Sequence, residues 1–270
     1  MPTLDILDVS TTIGCNLSCK GCNHFSNYFS PVSKLDTDAL IHDLEIILPR
    51  IDIGRISVIG GEPLLNPRCK EILNACRSYS SSPVYLYTNG LLLLQNEEWI
   101  REVLEDPRVY LRVSIHVREV YDILEQFNHP RVLVTEHSTN LSNQHTGKDK
   151  WFHSIKKRDG KVYPYNHNNI SRSYKVCSCP NTQLYNGRLW KCPNTAFLRE
   201  LLSVTEQSDD PEWQEYIVDG IPVDCSNECL TNFCKSTRIP EKVCNMCTSK
   251  PLHFSAGIQE RTDRKVIITQ

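Results

Sequence analysis

The chain has 270 residues, 40 % of them apolar and 23 % charged, with a formal net charge of −2. That length allows one large domain, or a domain with a smaller lobe. Near-neutrality without a basic run argues against nucleic acid as a partner, and no stretch of about 18 apolar residues is present to cross a membrane. The opening Met-Pro-Thr-Leu-Asp lacks the basic-then-apolar order of a secretion signal. A reducing cytoplasmic setting is therefore expected, where disulfides are rare. The 13 cysteines then read as metal ligands where they cluster and as small core residues where they stand alone.

Taken in chain order, the first half alternates strand and helix signals. Residues 4–10 alternate apolar and polar side chains and read as a strand. Asp36 can cap a helix carrying Leu40, Ile41, Leu44, Ile47 and Leu48, closed by Pro49. Ile56–Ile59 is a short buried strand. Asn66-Pro67 supplies a cap and a first-turn proline for a helix whose buried face carries Cys69, Ile72, Leu73 and Cys76. Strands follow at 84–87, Val109–Ile115 and 131–135, with helices at 97–104, around Val120–Leu124, and near 150–156. Lys161–Tyr163 reads as a last short strand.

This order predicts an α/β fold on a parallel sheet, open or curled into a barrel. Ligands of such folds gather at the C-terminal ends of the strands. The distinctive residues fall there. Cys15, Cys19 and Cys22 follow the first strand, Gly60-Gly61-Glu62-Pro63 the second and Thr88-Asn89-Gly90 the third, while Ser114 and His116 end the fourth. Past about residue 174 the composition changes. Eight of the 13 cysteines lie between Cys177 and Cys247, which suggests a smaller lobe held by metal. The expected division is 1–170, 171–258 and a polar tail at 259–270.

Cys15-x3-Cys19-x2-Cys22 puts three thiolates on one short loop. Thiolates of this kind hold iron–sulfur clusters, and three of them leave one iron of a cubane open to another ligand. The rival is a zinc knuckle with His24 as fourth ligand. Gly60-Gly61 lets backbone approach a ligand closely, although a tight turn explains the pair equally well. Cys69 and Cys76 read as core residues.

With Gly-Gly-Glu-Pro after the second strand and Thr-Asn-Gly after the third, this loop resembles the radical S-adenosylmethionine superfamily over about residues 1–165. The resemblance implies a partial (β/α)6, TIM-like barrel with a small Cys-rich C-terminal lobe. It implies a [4Fe–4S] cluster on Cys15, Cys19 and Cys22, with the methionine end of S-adenosylmethionine chelating the open iron. Gly60, Gly61 and Glu62 would hold the methionine amine; Asn89, Ser114 and His116 would contact ribose or carboxylate. Gly21 stands where the family often has an aromatic residue, and Phe25 or Tyr28 is the expected substitute. The run His24-Phe25-Ser26-Asn27-Tyr28 resembles a subgroup that also carries a stretch like residues 184–193.

Cys177, Cys179, Gly187, Cys192 and the pair Cys244 and Cys247 are similar to the twitch or SPASM lobes of that superfamily. The resemblance implies an auxiliary [4Fe–4S] cluster on Cys192, Cys244, Cys247 and either Cys177 or Cys179; a structural zinc on the same thiolates is the alternative. Cys225, Cys229 and Cys234 would allow a second auxiliary cluster, or are packed thiols in a helical segment around 228–233. The implied activity is reductive cleavage of S-adenosylmethionine to a 5′-deoxyadenosyl radical that takes hydrogen from a carbohydrate-like small molecule. The alternatives are radical modification of a peptide or protein, and a non-enzymatic zinc-binding interaction module. A flavodoxin- or ferredoxin-type protein would supply the electron.

Overall fold

The computed structural model describes residues 1–19, 21–32, 35–136, 152–177 and 180–252. An eight-stranded sheet forms its centre. The strands are β1 (Leu7–Ser10), β2 (Ile56–Ile59), β3 (Val84–Thr88), β4 (Val109–Ile115), β5 (Val132–Glu136), β6 (Thr182–Tyr185), β7 (Arg188–Trp190) and β8 (Ile221–Pro222), in the order β8-β7-β6-β1-β2-β3-β4-β5. The six strands from β6 to β5 run parallel, and β7 and β8 are antiparallel additions at one edge. The fold is thus mixed α/β on a parallel-rich sheet, followed by a Cys-rich C-terminal region.

Helices α1 (Thr37–Ile47), α2 (Cys69–Tyr79), α3 (Glu97–Val103) and α4 (Glu119–Phe127) connect the first five strands. Asp36 caps α1, its carboxylate accepting from the backbone N–H groups of Asp38 and Ala39. Pro49 converts the chain beyond Ile47 into a single 3₁₀ turn, because it cannot extend the α-helical bonding. The α2 face formed by Cys69, Ile72, Leu73, Ala75 and Cys76 is buried, so those two cysteines are core residues. Asn66 and Pro67 make a turn one step before α2. The Asn66 side chain accepts from the Arg68 N–H, and its carbonyl from that of Cys69.

The sequence misplaces two elements. Residues 152–155 are not helical, and Lys156–Arg158 pairs with Lys161–Tyr163 as a separate hairpin. Asp159 and Gly160 both have positive φ, the requirement of a tight two-residue hairpin turn. The sixth parallel strand is instead β6, seated beside β1. Asn186-Gly187, again with positive φ at both residues, turns β6 into β7. Both Asp-Gly and Asn-Gly are hairpin signals outweighed by the βα rhythm of the first half.

Two apolar clusters straddle this seam. One runs from Leu4 through α1 to α4 and takes in Leu184, Leu189, Leu230 and Cys234. The other joins Phe25 and Phe29 to Ile155, Val162, Trp190, Phe197, Trp213, Tyr216 and Met246. Residues on either side of 170 therefore share both the sheet and its packing. The expected 259–270 tail lies outside the described residues.

Candidate active site and cysteine-rich site

At the C-terminal ends of β1 to β4 lies a cavity of about 250 Å³. Its lining includes Cys15, Cys19 and Cys22, together with Gly60, Gly61, Asn89, Ser114 and His116. The loops that bring them together are bound to one another through backbone. Gly61 N–H donates to the Thr12 carbonyl and Glu62 N–H to that of Gly14, both at 2.9 Å. A Cβ on Gly61 would lie 1.9 Å from the Gly14 oxygen, and one on Gly60 would lie 2.3 Å from the Thr12 oxygen. The glycine pair is thus required by the approach of the cysteine loop itself.

Glu62 is fully buried and is not among the residues lining the cavity. Its carboxylate accepts from Leu64 N–H at 3.0 Å, Thr88 Oγ1 at 2.7 Å and Asn89 N–H at 2.8 Å. It therefore clips the β2 loop to the β3 loop. Burial pushes its pKa up to about 7 despite those three donors. Asn89 continues the chain of contacts. Its Nδ2 donates to Asn16 Oδ1 at 2.7 Å and approaches Cys15 Sγ at 3.8 Å.

The three thiols share one electrostatic environment. Burial drives the Cys15 thiol well above its ordinary range, with the Glu62 charge next in effect and Cys22 and Cys19 adding to it. Cys19 is pushed up to about 12 by burial and by Cys22. In the metal-free chain Cys15 and Cys19 hold their protons, so loading a metal must displace them. Among the described residues no three His, Cys, Asp or Glu side chains converge on a single metal ion. The three thiols instead border a common space, and this all-sulfur donor set fits an iron–sulfur cluster. His24 faces the same cavity, with Nδ1 3.1 Å from Asn23 Oδ1. Its Nε2 is buried; Gln183 lies near without a hydrogen bond of acceptable geometry. Neither Phe25 nor Tyr28 is among the cavity-lining residues. Phe25 is buried in the second apolar cluster and Tyr28 packs at its edge under Lys157. Among the described residues, Tyr87 lines the cavity.

Sequence reasoning missed the polar wall opposite. Asp8, 2 % exposed, lines the cavity, and its Oδ2 accepts from Gln183 Nε2 at 2.8 Å and Asn181 Nδ2 at 3.1 Å. Gln183 Oε1 in turn accepts from Ser10 Oγ at 3.1 Å. Burial raises the Asp8 pKa. The available signal was a carboxylate among the polar positions of an alternating strand, Leu7-Asp8-Val9-Ser10; its partners became visible only when β6 was placed beside β1.

A second, smaller pocket of about 30 Å³ lies in the later part of the chain. Cys177, Cys192, Cys244 and Cys247 line it, with Tyr174 and Lys191. Burial raises the thiol pKa values of Cys192, Cys244 and Cys247, and Cys247 also feels Cys192 and Cys177. Cys192 sits at the N-terminus of a short helix, α5 here (Pro193–Ala196), and the 3₁₀ turn Lys242–Met246 carries Cys244. Cys179 lies outside the described residues. Cys225, Cys229 and Cys234 do not line this pocket. They belong to α6 (Asn227–Ser236) and the residues just before it, and Cys234 is packed in the first apolar cluster. No helix among the described residues is long and apolar enough to cross a membrane.

Against this geometry, residues 9–135 match the family model described as the Radical SAM superfamily. A curated GTP 3′,8-cyclase from Aquifex aeolicus (strain VF5) is 28 % identical over 116 residues, 42 % of this chain and 35 % of that protein. A GTP 3′,8-cyclase from Helicobacter pylori (strain ATCC 700392 / 26695) is 31 % identical over 93 residues, 33 % of this chain and 29 % of that protein. The chain therefore spans about a third of the length of these curated relatives. Among solved structures, BtrN in complex with AdoMet and 2-DOIA aligns with a TM-score of 0.48 at 18 % identity, covering 93 % of this chain and 100 % of that one. The structure of polyhistidine-tagged anSMEcpe with bound AdoMet aligns at 0.38 and 17 % identity, covering 54 % and 46 %. The matched segment contains the three-cysteine loop and the strand ends that meet it, which supports the Radical SAM superfamily for residues 9–135.

Proposed function

We propose that this chain is a radical S-adenosylmethionine enzyme acting on a carbohydrate-like small molecule. The single observation that carries the reading is the meeting of Cys15, Cys19 and Cys22 with Gly60, Gly61, Asn89, Ser114 and His116 around one cavity, inside the segment that matches the family model. When bound there, a [4Fe–4S] cluster and S-adenosylmethionine would supply the radical chemistry of hydrogen abstraction.

The chain's own residues hold, orient and shield. Cys15, Cys19 and Cys22 would hold the cluster. Gly60 and Gly61 present bare backbone to the cavity. Glu62 acts here as the brace that fixes Asn89, and Asn89 with Asn16 fixes the Cys15 side of the loop. Asp8, held by Asn181 and Gln183, offers a buried acceptor to a hydroxyl-bearing substrate. A polar ring could add a further donor to this carboxylate, which Asn181 and Gln183 already hold through Oδ2, whereas an apolar ring could not.

Residues 171–258 would contribute the auxiliary [4Fe–4S] site through Cys177, Cys192, Cys244 and Cys247. Cys177 lines the pocket with the other three and stands at the nine-residue gap before Gly187. A low-potential flavodoxin- or ferredoxin-type donor would supply the starting electron.

Anaerobic reconstitution tests this. Iron and sulfide are counted, and 5′-deoxyadenosine is measured after dithionite and S-adenosylmethionine are added. The reading expects about eight irons per chain, four for each cubane, and deoxyadenosine in the native chain only. A Cys15→Ala/Cys19→Ala/Cys22→Ala variant that still forms deoxyadenosine would overturn it.

A further inference from the structure

The pocket of Cys177, Cys192, Cys244 and Cys247 also holds a buried cation. Lys191 lines it, and its side chain is only 9 % exposed. The Nζ donates to the carbonyls of Ser236 at 2.6 Å and Ile239 at 2.8 Å, and lies 3.3 Å from Glu241 Oε2. The ammonium also stands 5.7 Å from the Tyr174 ring centre and acts electrostatically on Cys244. Glu241 opposes it only in part: its carboxylate acts on Cys244 in the opposite sense and after Lys191 in effect, and it is 36 % exposed where the lysine is 9 % exposed. A second donor faces the sulfurs directly: Asn194 Nδ2 donates to Cys247 Sγ at 3.1 Å.

Burying a lysine needs a reason. Two carbonyls and one half-exposed carboxylate leave the charge available to a strongly negative neighbour. Four thiolates around a cluster would be such a neighbour. Hydrogen bonds to cluster sulfurs and nearby charge set the reduction potential of an iron–sulfur site.

We infer that Lys191 and Asn194 are positioning residues that raise the electron affinity of the four-cysteine site. This rests on the reading that the site holds a [4Fe–4S] cluster. Both residues favour the more negative, reduced form, and so make the site an electron acceptor.

The test is a potentiometric titration of the reconstituted 270-residue chain, followed by electron paramagnetic resonance, without substrate. The native chain should show two midpoint potentials. Lys191→Met should move one of them to a more negative value and leave the other in place. Lys191→Arg should restore it, and Asn194→Ala should move the same midpoint in the same direction. If both Lys191→Met and Asn194→Ala leave both midpoints unchanged, the inference is overturned. If Lys191→Met does not take up the second cluster, Asn194→Ala alone decides. A native chain that reconstitutes with only about four irons, or with zinc in the four-cysteine site, would instead sink the reading on which the inference rests.

Discussion

The two cysteine sites differ in what surrounds the sulfur. Three thiols after β1 open onto a cavity of about 250 Å³ walled by Asn89, Ser114, His116 and Asp8. Four thiols in the later region line a pocket of about 30 Å³ with Lys191 and Tyr174 beside them. The first arrangement leaves room next to the three thiols for other molecules. The second brings four thiols together with a buried cation. One suits chemistry on a bound molecule and the other suits holding charge, although both begin as clustered cysteines in sequence.

The largest effect that would break or sharpen this contrast comes from single ligand changes. Cys19→Ala should reduce deoxyadenosine formation to background while about four irons remain, measured by iron assay and chromatography. Cys247→Ser should do the reverse, keeping cofactor cleavage while losing about four irons and substrate turnover. Equal losses in both variants would erase the distinction between the sites.

Next in size is Gly61→Ala. The added methyl meets the Gly14 carbonyl, and relief requires the cysteine loop to leave β2. We expect a loss of about 3–5 kcal/mol, read as a lowered denaturation midpoint of the metal-free chain. At Gly187 in the later region an added Cβ would meet only Asp43 Oδ1, at 4.0 Å, and the positive φ is what matters; Gly187→Ala should cost about 1 kcal/mol.

A smaller effect concerns pH. Glu62 has its folded pKa raised to about 7 by burial, so the protonated form favours the fold. Its contribution is fully present below the unfolded carboxylate value and is lost as pH rises through about 7. The metal-free native chain should lose about 3 kcal/mol of stability between pH 4.5 and 7. Glu62→Gln should flatten that slope, at a cost of about 1–3 kcal/mol for a donor left facing a donor. The smallest effect is expected at Cys229, half-buried on α6. Cys229→Ser should leave the iron content unchanged, and a loss of about four irons would require a further cluster.

Much of the first site was legible in advance because βα repetition puts strand ends on one rim. Cys15, Gly60, Asn89 and Ser114 could be brought together from loop position alone. Glu62 could not be assigned its bracing contacts, since a strand-end carboxylate gives no sign of whether it turns toward a cavity or toward the next loop. Asp8, Asn181 and Gln183 were hidden for a topological reason: they meet only because β6 returns beside β1 after more than 40 residues beyond β5. The hairpin turns at Asp159-Gly160 and Asn186-Gly187 carried a usable local signal. The cysteine spacing singled out Cys177, Cys192, Cys244 and Cys247, which line one pocket, while adjacency to Cys192 did not show that the Lys191 side chain is buried there.

The most direct measurement is the electron paramagnetic resonance spectrum of the reduced, reconstituted chain before and after S-adenosylmethionine is added. The account predicts that the signal of the Cys15, Cys19 and Cys22 cluster shifts as the cofactor occupies its open iron, while the four-cysteine signal stays put. A spectrum left unchanged by the cofactor, or a chain that takes up no iron at the first site, would contradict it.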